Sequence, residues 1–138
     1  MSSAKEEKVL AWGSRARVQT GVKKYYDYLC KEYQDWFPKL TDLFKICAAL
    51  GIQHDKQLSL KKRDDLANLA NLEIESFRVL MALRFPNKAL EERLEELEKY
   101  AEYGITKLYK GIREHGLAGF LQYLKPVLEN PSPSGTGA

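Results

Sequence analysis

Histidine and cysteine are scarce in this chain of 138 residues: His54, His115, Cys30 and Cys47 are all there are. No two of them stand at the spacing of a zinc site, so the sequence predicts no metal and no cofactor. Cys30 and Cys47 fall on apolar faces of separate predicted helices, which reads as two reduced core thiols. That reading suits a cytoplasmic protein. A glycine-rich phosphate loop is missing as well, since Gly13, Gly21 and Gly51 stand alone. No serine or cysteine is placed as an activated nucleophile, and Cys47 sits between Ile46 and Ala48 inside a predicted core helix. The expectation is therefore a protein that is not an enzyme. No apolar run approaches the ~18 residues of a membrane span. Lys5, Glu6, Glu7 and Lys8 have no apolar run behind them, so no signal peptide is expected. A net charge of +3 is too small to indicate nucleic acid by itself.

What the chain does have is helical periodicity. With 44% hydrophobic residues it can build a core, and its length suits one domain. The clearest segment is Trp36–Gly51. Pro38 suits a first helical position and Gly51 the position just past a helix end. Between them Leu40, Leu43, Phe44, Cys47 and Leu50 make one apolar face, and Ala48 and Ala49 allow another helix to come close. Before it, Val22–Gln34 carries a broad aromatic face of Tyr25, Tyr26, Leu29, Cys30 and Tyr33. Ser14–Thr20 suits an extended, strand-like arm.

Ile52–Arg63 reads as a loop with a basic end, and Asp64–Asn71 as a short helical turn. Leu72–Phe85 forms an apolar helix (Ile74, Phe77, Leu80, Met81, Leu83) closed by Pro86, and Asn87 suits the cap of the next. The longest helix is predicted over Lys88–Glu114, with the stripe Leu90, Leu94, Leu97, Ala101, Ile105, Leu108 and Ile112. Gly104 interrupts it, which calls for a break or close packing there. Gly116 ends it, and Leu117–Leu128 follows as a last helix. The expectation is an all-α fold: a small single-domain bundle of four to six helices with one long spine helix. Residues 1–14 are expected as a flexible arm, 15–128 as the helical domain and 129–138 as a disordered tail.

Charge is laid out unevenly. Glu91, Glu92, Glu95, Glu96, Glu98 and Glu102 crowd the first half of the long helix. They are expected on its solvent side, paired with Arg93 and Lys99. Lys107, Lys110 and Arg113 follow near its end, an order that complements the helix dipole. Two basic clusters lie elsewhere: Arg15, Arg17, Lys23 and Lys24 on the arm and first helix, and Lys56, Lys61, Lys62 and Arg63 in the loop. Such clusters are either ordinary solvated surface or contacts for DNA phosphates. Lys23-Lys24-Tyr25-Tyr26 sets aromatics beside charge, which suits either base stacking or a core.

Three stretches resemble a family. Arg15-Ala-Arg-Val with Lys24-Tyr25-Tyr26, Phe37–Gly51 ending in Ala-Ala-Leu-Gly, and Leu97-Glu-Lys-Tyr-Ala-Glu-Tyr-Gly-Ile-Thr-Lys-Leu108 are similar, in this order, to small accessory proteins of DNA phosphorothioation (Dnd) systems, the "protein 4" type. The loop at 52–63 departs from that pattern, having no proline before Lys61-Lys-Arg63. The resemblance implies an accessory protein of prokaryotic DNA modification, restriction or phage defence, and no catalytic residue. The expected function is binding of DNA, through Arg15, Arg17, Lys23, Lys24, Lys61, Lys62 and Arg63, or of a partner subunit, or both. A second copy of the chain is among the possible partners. The alternative is a helical protein–protein interaction module that touches no nucleic acid.

Overall fold

The structure, a computed structural model, describes residues 12–73 and 75–129. The order of elements is β1 (Arg17–Thr20), α1 (Lys23–Glu32), α2 (Leu40–His54), β2 (Asp64–Asn68) with a 3-10 turn at Leu69–Asn71, α3 (Glu75–Arg84) and α4 (Leu90–Glu129). The fold is mostly helical, with four helices among the described residues. It is not all-α: β1 and β2 pair antiparallel as a two-stranded sheet. The strand-like arm of the sequence is therefore one half of a ladder. Its partner comes from Asp64–Asn68, where a helical turn was expected.

The spine is α4. Leu94, Leu97, Ala101, Ile105, Leu108 and Ile112 are all buried, which is the expected stripe less its first member: Leu90 is more than a third exposed. Glu92 accepts the backbone N–H of Ala89 at 2.9 Å, half of a capping box at the start of α4. Asn87 lies too far upstream to serve as the cap. The helical dihedrals break once, at Gly116 (φ 75°, ψ 166°). That is the residue at which the sequence divides one helix from the next.

Against the spine lies α2, whose Leu43, Phe44, Cys47, Ala48 and Leu50 are buried. Two features of α2 differ from expectation. Its first helical residue is Leu40, so Pro38 stands before the helix rather than in its first turn. Gly51 lies inside it, and the left-handed residue past its end is Asp55 (φ 54°, ψ 46°). Gly51 serves packing instead of termination: a Cβ there would overlap the backbone of Tyr100 in α4.

The first helix contributes Tyr26 and Leu29 to the core. Tyr25 stacks face to face on Tyr109 of α4, ring centroids 3.9 Å apart. The third helix is thinly packed. Met81 is buried, Phe77 and Leu80 only partly, and Leu83, expected inside, is 75% exposed beside Val79 at 55%. Ile74 lies outside the described residues. At the N-terminus, Trp12 is buried and the N–H of Ser14 donates to Glu91 at 2.9 Å, so the last three residues of the expected arm of 1–14 are held against the domain. Residues 1–11 of that arm and 130–138 of the expected tail are outside the described residues.

Candidate nucleic-acid interface

The small sheet brings the arm cluster beside Lys61, Lys62 and Arg63 of the loop, while Lys56 stands apart from them, near His54. A two-stranded ribbon is only marginally stable alone, and here it is held against α4 by side chains. Val18 is buried in the core, and the register runs Arg17↔Asn68, Val18↔Ala67, Gln19↔Asp65 and Thr20↔Asp64, with an irregularity between Val18 and Gln19. At that irregularity the N–H of Gln19 donates to Glu98 of α4 at 2.7 Å. Two residues on, the Thr20 hydroxyl donates to Glu102 at 2.7 Å and the N–H of Gly21 to the same carboxylate at 2.9 Å. Gly21 in turn touches the loop: a Cβ built on it would sit 3.1 Å from the backbone nitrogen of Lys61.

Glu98 therefore occupies the junction. Its buried carboxylate pairs with Arg15 at 2.5 Å and with Arg63 at 3.7 Å, one arginine from each cluster. This corrects, for three of the six, the expectation that the acids of the long helix face solvent. Glu96, Glu98 and Glu102 are all buried. The sequence holds a signal for two of them. Glu98 lies four residues after Leu94, and Glu102 four after that, so both continue a row of the apolar stripe. Burial pushes the Glu98 and Glu102 carboxyls up from the usual range, against the opposing pull of Arg15 on the first and Thr20 on the second. Burial acts the same way on Glu96, but Gln57 and Lys99 outweigh it and hold that carboxyl down.

The seven candidate residues differ in what they have left to offer. Arg15 is committed to Glu98 and also donates to the Arg17 carbonyl at 2.9 Å. Arg17 pairs with Asp65 at 3.3 Å, Lys62 with Asp64 at 3.5 Å, and Arg63 with Glu98. Arg17 and Lys62 are exposed and so are the acid side chains they pair with, so those two pairs are weak ties that a phosphate can exchange for, whereas exposed Arg63 is tied to a buried carboxylate. Lys23, Lys24 and Lys61 are exposed and make no ion pair among the described residues. Asp64 and Asp65 dilute the positive field between the clusters. The aromatics of the Lys-Lys-Tyr-Tyr run are used internally: Tyr26 is wholly buried and Tyr25 is stacked on Tyr109.

The described residues of this face offer charge and hydrogen bonding. Among the described residues, no three His, Cys, Asp or Glu side chains come together to hold a metal ion. Burial pushes the Cys47 thiol well up, which keeps it protonated and a poor nucleophile. Cys30 and Cys47 are both free thiols. No helix among the described residues is long and apolar enough to cross a membrane. Compared with protein-family models, with curated proteins and with solved structures, the chain matches none of them.

Proposed function

We propose that this chain is a cytoplasmic, non-enzymatic binding protein whose joined basic face grips the phosphates of DNA, as an accessory of a prokaryotic DNA-modification or phage-defence system. The observation that carries the binding is the meeting of arm and loop. Clusters some forty residues apart share one surface at Gly21 and Lys61, clamped from beneath by Glu98, with Lys23, Lys24 and Lys61 unpaired at its edge. Phosphate contacts of this kind are blind to sequence. The defence setting rests on the resemblance of the Arg15–Tyr26, Phe37–Gly51 and Leu97–Leu108 stretches to the Dnd-associated proteins.

The test is fluorescence anisotropy with labelled duplexes of unrelated sequence at about 50 mM and about 200 mM salt, a range over which phosphate-driven binding weakens strongly. Reversing Lys23, Lys24 and Lys61 to glutamate should weaken binding equally on every duplex and flatten the salt dependence. These three leave the Glu98 clamp intact, so the fold is not at stake. Absence of binding by the unaltered protein at the lower salt rejects the DNA reading.

A second reading, a helical interaction module with no nucleic-acid contact, is favoured by Val79 and Leu83. These lie four residues apart on α3 and present apolar surface to solvent. It predicts that Val79→Ser with Leu83→Ser abolishes partner capture, or self-association in sedimentation, while leaving the unfolding midpoint unchanged.

A further inference from the structure

Beyond Gly111 the spine makes a second site. A Cβ on Gly111 would overlap the ring of Phe120, nine residues further on. In a continuous helix residues nine apart are ~13 Å apart along the axis, so the break at Gly116 folds the chain back over Gly111. Phe120 is thereby buried, and a groove of about 470 Å³ opens beside it. Its apolar walls are Phe120, Tyr103 and Leu58, the last presented by a loop whose N–H is tied to the Lys99 carbonyl at 3.0 Å. Lys107 and Lys110 supply positive groups, and His115 and Glu114, 3.5 Å apart, also line it.

Next to this groove His54 packs against Tyr103, centroids 5.8 Å apart, with its Nε2 buried and lacking a hydrogen-bond partner among the described residues. Burial first, then the charges of Lys107 and Lys56, hold its imidazole below the usual range. The field at this end of the spine is therefore positive. None of these residues belongs to the arm or to Lys61–Arg63.

We propose that this groove binds a mononucleotide, its base against Tyr103 and Leu58 and its phosphate between Lys107 and Lys110. The volume is that of a small-molecule site, and such sites pair apolar walls with a few convergent polar groups. A planar ring carrying an anion matches both halves; a bare anion or a neutral ring matches one.

The chain has two histidines and both report on the site, His115 from its lining and His54 through Tyr103 and Lys107. The experiment is a proton NMR titration of the two imidazoles of the full chain with AMP, adenosine and ribose 5-phosphate. AMP should shift His115 and raise the titration midpoint of His54, because a phosphate offsets the lysine field. Adenosine and ribose 5-phosphate should each bind at least tenfold more weakly. Lys110→Glu, an exposed change, should weaken AMP at least tenfold, whereas Lys23→Glu should leave it unaltered. The proposal is overturned if millimolar AMP moves neither imidazole, if ribose 5-phosphate or adenosine equals AMP, or if Lys110→Glu binds as before. None of these outcomes depends on whether the basic face binds DNA.

Discussion

Gly104 of α4 lies against the backbone carbonyl of Cys47 in α2, so closely that a Cβ at 104 would overlap that group. The contact is reciprocated one turn away, where Gly51 of α2 abuts the carbonyl of Tyr100. Cys47 and Gly51 thus face Gly104 and Tyr100 in antiparallel order. The small residues Ala48 and Ala101 are buried beside them. Two backbones in contact leave no slack for an added methyl group.

Gly104→Ala should therefore destabilise the protein by about 1–3 kcal/mol, the usual range for forcing a methyl group into a packed site. Alanine is favoured over glycine within a helix by ~1 kcal/mol, so the sign of the change discriminates. Urea unfolding followed by circular dichroism measures it, and a stabilised variant would mean the helices do not cross at Gly104.

Leu97 is wholly buried on the spine. Leu97→Ala should cost about 2–5 kcal/mol as a core truncation. A loss below half a kilocalorie in chemical unfolding would place the stripe in solvent. A loss that grows on dilution would show that a second copy covers it.

Glu98→Ala removes the acceptor shared by Arg15, Arg63 and the N–H of Gln19. The expected outcome is loosening of β1 with the core kept. In amide hydrogen exchange, protection at Gln19 and Gly21 should fall while that of Ile105 and Leu108 stays. Unchanged protection at Gln19 would show that the clamp does not hold the strand.

Glu102→Gln tests the pH dependence. The carboxyl of Glu102 is raised by burial in the folded chain. Between its unfolded and folded midpoints the native state holds more protons, so the stability owed to this group is present at low pH. It is lost as pH rises through the raised midpoint. Glutamine does not titrate. The stability of the unaltered protein relative to Glu102→Gln should therefore decline as pH rises from the ordinary carboxylate range toward neutrality. A relative stability that rises over that interval would reverse the assigned direction.

Much of the spine was legible from residue order. Leu94, Leu97, Ala101, Ile105, Leu108 and Ile112 repeat with the helix period, and their burial follows because a helix carries such a stripe to one side. Gly116, the residue that can take φ 75° without strain, marked the break. The close approach at Gly104 was one of the two readings its position allowed. These are local properties, decided within a turn or two of chain.

What lay beyond the sequence were relations between distant segments. Asp64–Asn68 has weak strand propensity and becomes a strand because Arg17–Thr20 is set beside it. Glu98 and Glu102 look like a solvated face until donors about 80 residues away around β1, and Arg63 of the loop 35 residues away, make their burial affordable, since a carboxylate leaves water only where charge and hydrogen bonds replace it. Helical period therefore determined which residues form the spine. Only the tertiary structure decided that three of its acids turn inward, that the arm and loop form one face, and that Leu83 faces out. The spacing of Glu98 and Glu102 after Leu94 puts them on the inner side of the helix, but the donors that let them be buried, like the other outcomes, depend on which groups meet in space, and spacing along the chain does not encode that.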